Sequence, residues 1–127
     1  MKIGEIYYFV SDQAIGYAQR PKYQVYICDP SWIIDGHTFQ FISGRDYGGD
    51  IRITHAEYGF LPYAVSYISC GNPASYSVEQ LYELKPKLKG RLSLEHMKLL
   101  YDGVLDSFTM ERRFIPLIAG AILKAIK

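Results

Sequence analysis

Cysteine is scarce in this chain, with only Cys28 and Cys70 among 127 residues. Two thiols so far apart are too few for a disulfide scaffold and too distant for a metal knuckle. They are expected to be reduced thiols of a cytosolic protein. Charge is sparse as well. Lysine and arginine number 14 and aspartate and glutamate 13, a formal net charge of +1. No global basic field exists to attract nucleic acid, so any contact with RNA or DNA has to be local. Long hydrophobic runs are missing: Phe114 to Ile126, the most apolar stretch, is too short for a membrane span and is interrupted by Pro116, Gly120 and Lys124. The opening MKIGEIYYFVSDQ has neither a long apolar core nor a small-residue cleavage site. No signal peptide is expected, and the chain is placed in the cytoplasm.

The common enzyme signatures are missing too. There is no P-loop, dinucleotide glycine fingerprint, CxxC pair, HExxH or GxSxG, which removes several large classes. His37, His55 and His96 are scattered, and His55 and Glu57 could hold a metal only if a further ligand folded in beside them. No metal and no cofactor is expected. Internal repeats and low-complexity linkers are also lacking.

Aromatic residues, by contrast, are plentiful: 12 Tyr and 6 Phe. Tyrosine suits strand surfaces and binding faces because its ring is apolar while its hydroxyl stays wet, and most of these rings are expected to pack. With 49% hydrophobic residues in 14.5 kDa, the chain can fill one core, and a single domain over 1–127 is expected.

Alternation with period two predicts strands over Gly4 to Val10 and Lys22 to Cys28, where Tyr23, Val25 and Ile27 alternate with Gln24, Tyr26 and Cys28. The eleven-residue SDQAIGYAQRP between them is longer than a tight hairpin needs. His37 to Ser43, the turn GRDYGGD and Asp50 to His55 read as a hairpin. A strand over Tyr63 to Cys70, a turn GNPASYS and a last strand over Val78 to Lys85 follow, although VEQLYELK also fits a turn or two of helix. After Pro86 the period changes. Ser93 can cap a helix carrying Leu94, Met97, Leu100, Tyr101, Val104 and Leu105, with Leu92 stapling onto Met97. Ser107 or Thr109 can start another, which Pro116 kinks or restarts, and which carries Phe114, Leu117, Ile118, Ala121, Ile122 and Ala125 on one stripe. Strands first and helices last predict an α+β fold, with a small β-barrel over about 1–91 followed by C-terminal helices over about 93–127.

If the first three strands are neighbours, Arg20, Ser43 and the polar turn of Arg45, Asp46 and Tyr47 gather at one rim, with Lys22 beside them. An arginine there can bind a phosphate bidentately and stabilise a phosphorane, as RNA cleavage by its own 2′-hydroxyl demands. Ser43 can position the phosphate, and Asp46 or Asp50 can take the proton. The same residues have plainer uses: Arg20 caps a loop, Ser43 ends a strand and the aspartates shape a turn. Lys85, Lys87, Lys89 and Arg91 form a basic run that reads as a solvated connection, or near a rim as a hold on a nucleic-acid backbone.

Gly4-Glu5-Ile6, Arg20-Pro21 before YQVYIC, Phe41-Ile42-Ser43, SYISC from Ser66 and GRLS from Gly90 occur in an order that resembles the PemK/MazF toxins of bacterial toxin-antitoxin pairs. The resemblance spans about residues 4–106. It implies an SH3-like β-barrel of the PemK/MazF/CcdB-like class. It also implies a metal-independent endoribonuclease that cleaves single-stranded RNA through 2′-hydroxyl attack and leaves a cyclic phosphate. By position, Arg20 is then the catalytic arginine and Ser43 its hydroxyl partner; Lys22, Arg45 and Asp46 are secondary candidates, as substrate-binding residues. A homodimer and a silencing antitoxin protein are implied as well. The family's Asp-Gln-x-Arg segment is replaced here by GNPASYS, and a typical member ends near Asp106. The gyrase-poison branch of the superfamily carries a Trp-containing end, whereas this chain ends in LKAIK. The alternative is a noncatalytic protein-binding module on the same barrel.

Overall fold

The structure, a computed structural model, describes residues 1–11, 20–28 and 36–127. Most of the long SDQAIGYAQRP segment lies outside the described residues. The elements are β1 (Glu5–Ser11), β2 (Arg20–Cys28), β3 (His37–Ser43), β4 (Ile51–Thr54), β5 (Val65–Ile68), β6 (Ala74–Tyr76), α1 (Val78–Leu84), β7 (Lys87–Arg91), α2 (Leu94–Leu105) and α3 (Ile115–Ile126). The strands form one antiparallel sheet in the order β4-β5-β3-β2-β1-β7. One edge of β3 is shared, with β6 pairing His37 to Phe39 and β5 pairing Ile42 and Ser43. The architecture is α+β: a curled antiparallel half-barrel followed by C-terminal helices.

Strand alternation loads both faces of this sheet. Ile6, Val25, Ile27 and Ile42 enter one core, beneath Leu100 and Val104 of α2 and Ile118 and Ile122 of α3. Tyr7, Phe9, Tyr26 and Phe39 enter a second, aromatic core, closed by Tyr76 of β6 and Leu81 of α1. There Phe39 meets Tyr7, Phe9, Tyr26 and Tyr76 edge-on, with centroids 5.2 to 6.2 Å apart. That geometry sets the positive edge of one ring against the negative face of another. Each fully buried Ile or Leu contributes roughly 1.5–3 kcal/mol by leaving water.

Four expectations need correction. First, β3 and β4 do not pair as a hairpin: β5 lies between them. The GRDYGGD turn is wide because Gly48 and Gly49 adopt positive φ (104° and 75°), and Asp50 ties it to the Cys70 amide just beyond β5. Second, VEQLYELK is helix rather than strand. Ser77 accepts the Gln80 amide at 3.1 Å while the Gln80 side chain accepts the Ser77 amide at 2.7 Å, a reciprocal capping box, and Lys85 ends the helix in the left-handed conformation. Third, Ala74–Tyr76 of the expected turn is β6, and Lys87–Arg91 of the expected connection is β7. Fourth, α3 starts at Ile115, not Ser107. Ser107 instead donates to the Cys70 carbonyl at 2.6 Å and accepts the Met110 amide at 3.0 Å, while Pro116 sits in the first helical turn, where its missing N–H costs nothing.

The cap of α2 is as expected, with Ser93 accepting the His96 amide at 3.2 Å and Leu92 and Met97 buried in one core. Of the expected apolar face, Leu94 and Leu105 are exposed and His96 is buried. On α3, Ala125 is exposed and Ala119 takes a core place. Among the described residues no helix is long and apolar enough to cross a membrane.

Candidate functional site

The register places the candidate residues at one rim. In the β1–β2 pair Ser11 lies opposite Arg20, and in the β2–β3 pair Tyr23 lies opposite Ile42, so the start of β2 and the end of β3 share an edge. A groove of about 610 Å³ opens there, bordered by Arg20, Lys22, Ser43 and Arg45. Pleating sends Arg20 and Lys22 to one face of β2 and Pro21 and Tyr23 to the other. The groove is cut by the strand ends, so residues of both faces border it. Tyr8, Tyr23, Tyr47 and Tyr63 also line it, and no aspartate or glutamate does among the described residues. A chain with net charge +1 thus concentrates three cations and four tyrosines in one concavity.

The rings are held in place. Tyr8 and Tyr23 meet at 4.5 Å between centroids, Tyr23 stacks on Phe60 at 5.7 Å, and the Tyr23 hydroxyl donates to the Phe60 carbonyl at 3.0 Å. Burial and the neighbouring Tyr8 hold the Tyr23 hydroxyl above its ordinary pKa. Burial, then the charge of Arg20, lowers the pKa of Lys22. Ser43 donates to the Arg45 carbonyl at 3.1 Å, and the Arg45 guanidinium lies 5.9 Å from the Tyr47 ring centroid.

The aspartates are used elsewhere. Asp46 is exposed, accepts the Gly48 amide at 2.8 Å and does not border the groove. Asp50 accepts the Tyr47 amide at 3.1 Å on one oxygen and the Cys70 amide at 3.1 Å on the other. Both carboxylates accept backbone amides of the turn or of Cys70, and neither borders the groove. His55 and Glu57 are also committed, to the Leu61 carbonyl at 2.7 Å and to Thr54 and His96.

The basic run does not act as one patch. Lys85 caps α1, and Arg91 faces Glu5 at 3.7 Å. Lys87 lies opposite Tyr8, and the Lys89 ammonium sits 5.9 Å from the Tyr8 ring centroid. Sequence reasoning missed Tyr8 and Tyr63 as groove residues beside Arg20, and that Lys89 reaches Tyr8. Only the aromatic excess hinted at the tyrosines, because the pairing of β1 with β2 brings Tyr8 there and the loop before β5 lays Tyr63 against Gly44 after β3. The chain matches no protein-family model, and no curated protein shows significant similarity to it.

Proposed function

We propose that the groove binds single-stranded RNA and that the protein is a toxin-like, metal-independent endoribonuclease of the PemK/MazF type. Its half-barrel would then belong to the SH3-like class. The observation that carries the proposal is the groove's lining: Arg20, Lys22, Arg45 and Ser43 with four tyrosines and no described carboxylate. Cations that track a phosphate backbone and aromatic faces that take bases are what single-stranded nucleic acid requires. The 2′-oxygen attacks phosphorus as its proton passes to solvent, the P–O5′ bond breaks, the 5′-oxygen takes up a proton from solvent, and a 2′,3′-cyclic phosphate remains. Arg20 stabilises the charge on the phosphorane and Ser43 positions the phosphate. Lys22, whose pKa burial and the charge of Arg20 lower, borders the groove beside Arg20 and is the second cation placed to hold the phosphate. On the same reading the protein acts in the cytoplasm as a homodimer, and an antitoxin segment silences it by occupying the groove.

Purified protein incubated with a long RNA in EDTA is expected to make discrete cuts with cyclic-phosphate ends, and Arg20→Ala is expected to make none. Absence of cleavage by folded, antitoxin-free protein refutes the proposal. The second reading, a noncatalytic protein-binding module, is favoured by the occupied aspartates and by the exposure of Tyr47 and Tyr63, 60% and 59%, at the groove. It predicts retention of a protein partner without RNA cleavage.

A further inference from the structure

The groove does not end at β2. Tyr8 borders it and has Tyr23 opposite it on one side and Lys87 on the other, so these side chains share a face of the sheet. A register shift in the β1–β7 pair falls between Ile6 and Tyr7, and Lys89, the residue it leaves unmatched, reaches the Tyr8 ring. Lys89 is exposed and makes no ion pair among the described residues. Tyr8 is half-buried and packs at 4.5 Å against Tyr23, which is itself fixed by Phe60. A ring held this way is a preformed platform: a base can stack on it without ordering a mobile side chain.

We propose that Tyr8 and Lys89 form a second nucleotide subsite, in which a base stacks on Tyr8 and Lys89 holds the adjoining phosphate. This rests on the reading of the groove as an RNA site and extends it. β7 lies two strands from β2, about 10 Å away at ordinary strand spacing. Tyr8 is also displaced along the sheet from Arg20, which pairs with Ser11. Lys89 as placed therefore faces a phosphate other than the one at Arg20. The ligand is an oligonucleotide running across β2, β1 and β7, not a mononucleotide, and the subsite is indifferent to base identity because every base offers a stacking face.

The test uses the whole protein and a fluorescent 2′-O-methyl RNA of about eight nucleotides, a length within the site size of a small barrel and uncleavable for want of a free 2′-hydroxyl. Wild type is expected to bind it. Lys89→Glu is expected to weaken binding roughly tenfold and to reduce the salt slope by about one. Tyr8→Leu, which keeps the apolar bulk and removes the π-face, is expected to weaken binding about tenfold or more with no change in salt slope. Binding of a dinucleoside monophosphate is expected to be unchanged in Lys89→Glu. Wild-type binding equalled by both variants overturns the subsite and leaves the groove's RNA role standing. Failure of wild type to bind or cleave any RNA overturns the RNA reading itself. Melting curves establish that each variant is folded, and if Tyr8→Leu is not, Lys89→Glu, at an exposed edge position, decides alone.

Discussion

The Tyr58 hydroxyl lies 2.6 Å from Nδ1 of His96 and accepts the Ser93 amide at 3.0 Å, which fastens the turn after β4 to the first turn of α2. His96 is buried, and its Nε2 faces Glu57 at 3.3 Å. Tyr58→Phe keeps the ring and strands both polar partners, so it is expected to cost about 1–3 kcal/mol in urea unfolding. RNA cleavage at temperatures well below the transition is expected to be unaltered, since Tyr58 does not border the groove.

Arg20→Ala is expected to lower the single-turnover rate of RNA cleavage by about a hundredfold or more, because a donor to developing charge is lost. Asp46→Asn is expected to leave that rate within about threefold, since its role is to accept the Gly48 amide and an asparagine oxygen accepts it equally well. A large loss in Asp46→Asn would restore the carboxylate to the mechanism.

Gly36 has φ 133°, and a Cβ on it would lie 2.1 Å from the Tyr76 carbonyl oxygen. Gly36→Ala therefore combines a disfavoured backbone with a collision against the β6 backbone. It is expected to destabilise the fold by about 3 kcal/mol or more, read as a drop in melting temperature.

Burial by itself pushes the Glu5 carboxyl up, but hydrogen bonds from the Lys2 amide and the Tyr7 hydroxyl and the charge of Arg91 together hold it below its ordinary value. A depressed folded-state pKa contributes stability that is complete above the unfolded value, about 4.3. That contribution is lost as pH falls through the folded value. Unfolding free energy is therefore expected to fall with acidification below that value. Glu5→Gln is expected to flatten the fall, as urea titrations at stepped pH will show. An unchanged slope removes Glu5 as its source.

Burial, then the neighbouring Asp50, pushes the Cys70 thiol up to about 12. The thiolate is the nucleophile, so iodoacetamide at neutral pH is expected to leave Cys70 unmodified in native protein and to label it after denaturation, as mass spectrometry can follow. Rapid native labelling would show that the α2 and β4 packing around it opens.

Much of the fold was legible because local pattern and tertiary demand agree. YQVYIC alternates, and β2 is the central strand with cores on both sides. Ser93 is followed by an apolar helical period, and it caps α2. The failures fall where local signal is weak or ambiguous. A three-residue strand such as β6 has no period to detect and exists because β3 offers it an edge. VEQLYELK has β-tolerant residues and one buried position, Leu81, and the Ser77–Gln80 cap settles it as helix. The expected β3–β4 hairpin failed because turn composition announces a reversal of the chain and not which strand will fill the place beside it.

The sequence by itself determined that C-terminal helices follow a strand-rich region, the central strands and the candidacy of Arg20 and Ser43, since alternation, caps and residue chemistry are local properties of the chain. Only the tertiary structure decided that Lys22, Arg45 and four tyrosines border the same groove, that Asp46 and Asp50 are committed to a turn, and that Lys89 sits over Tyr8. Those relations depend on which strands pair and in what register. Register is set by burying two cores at once, a condition on residues far apart in sequence that no local window contains.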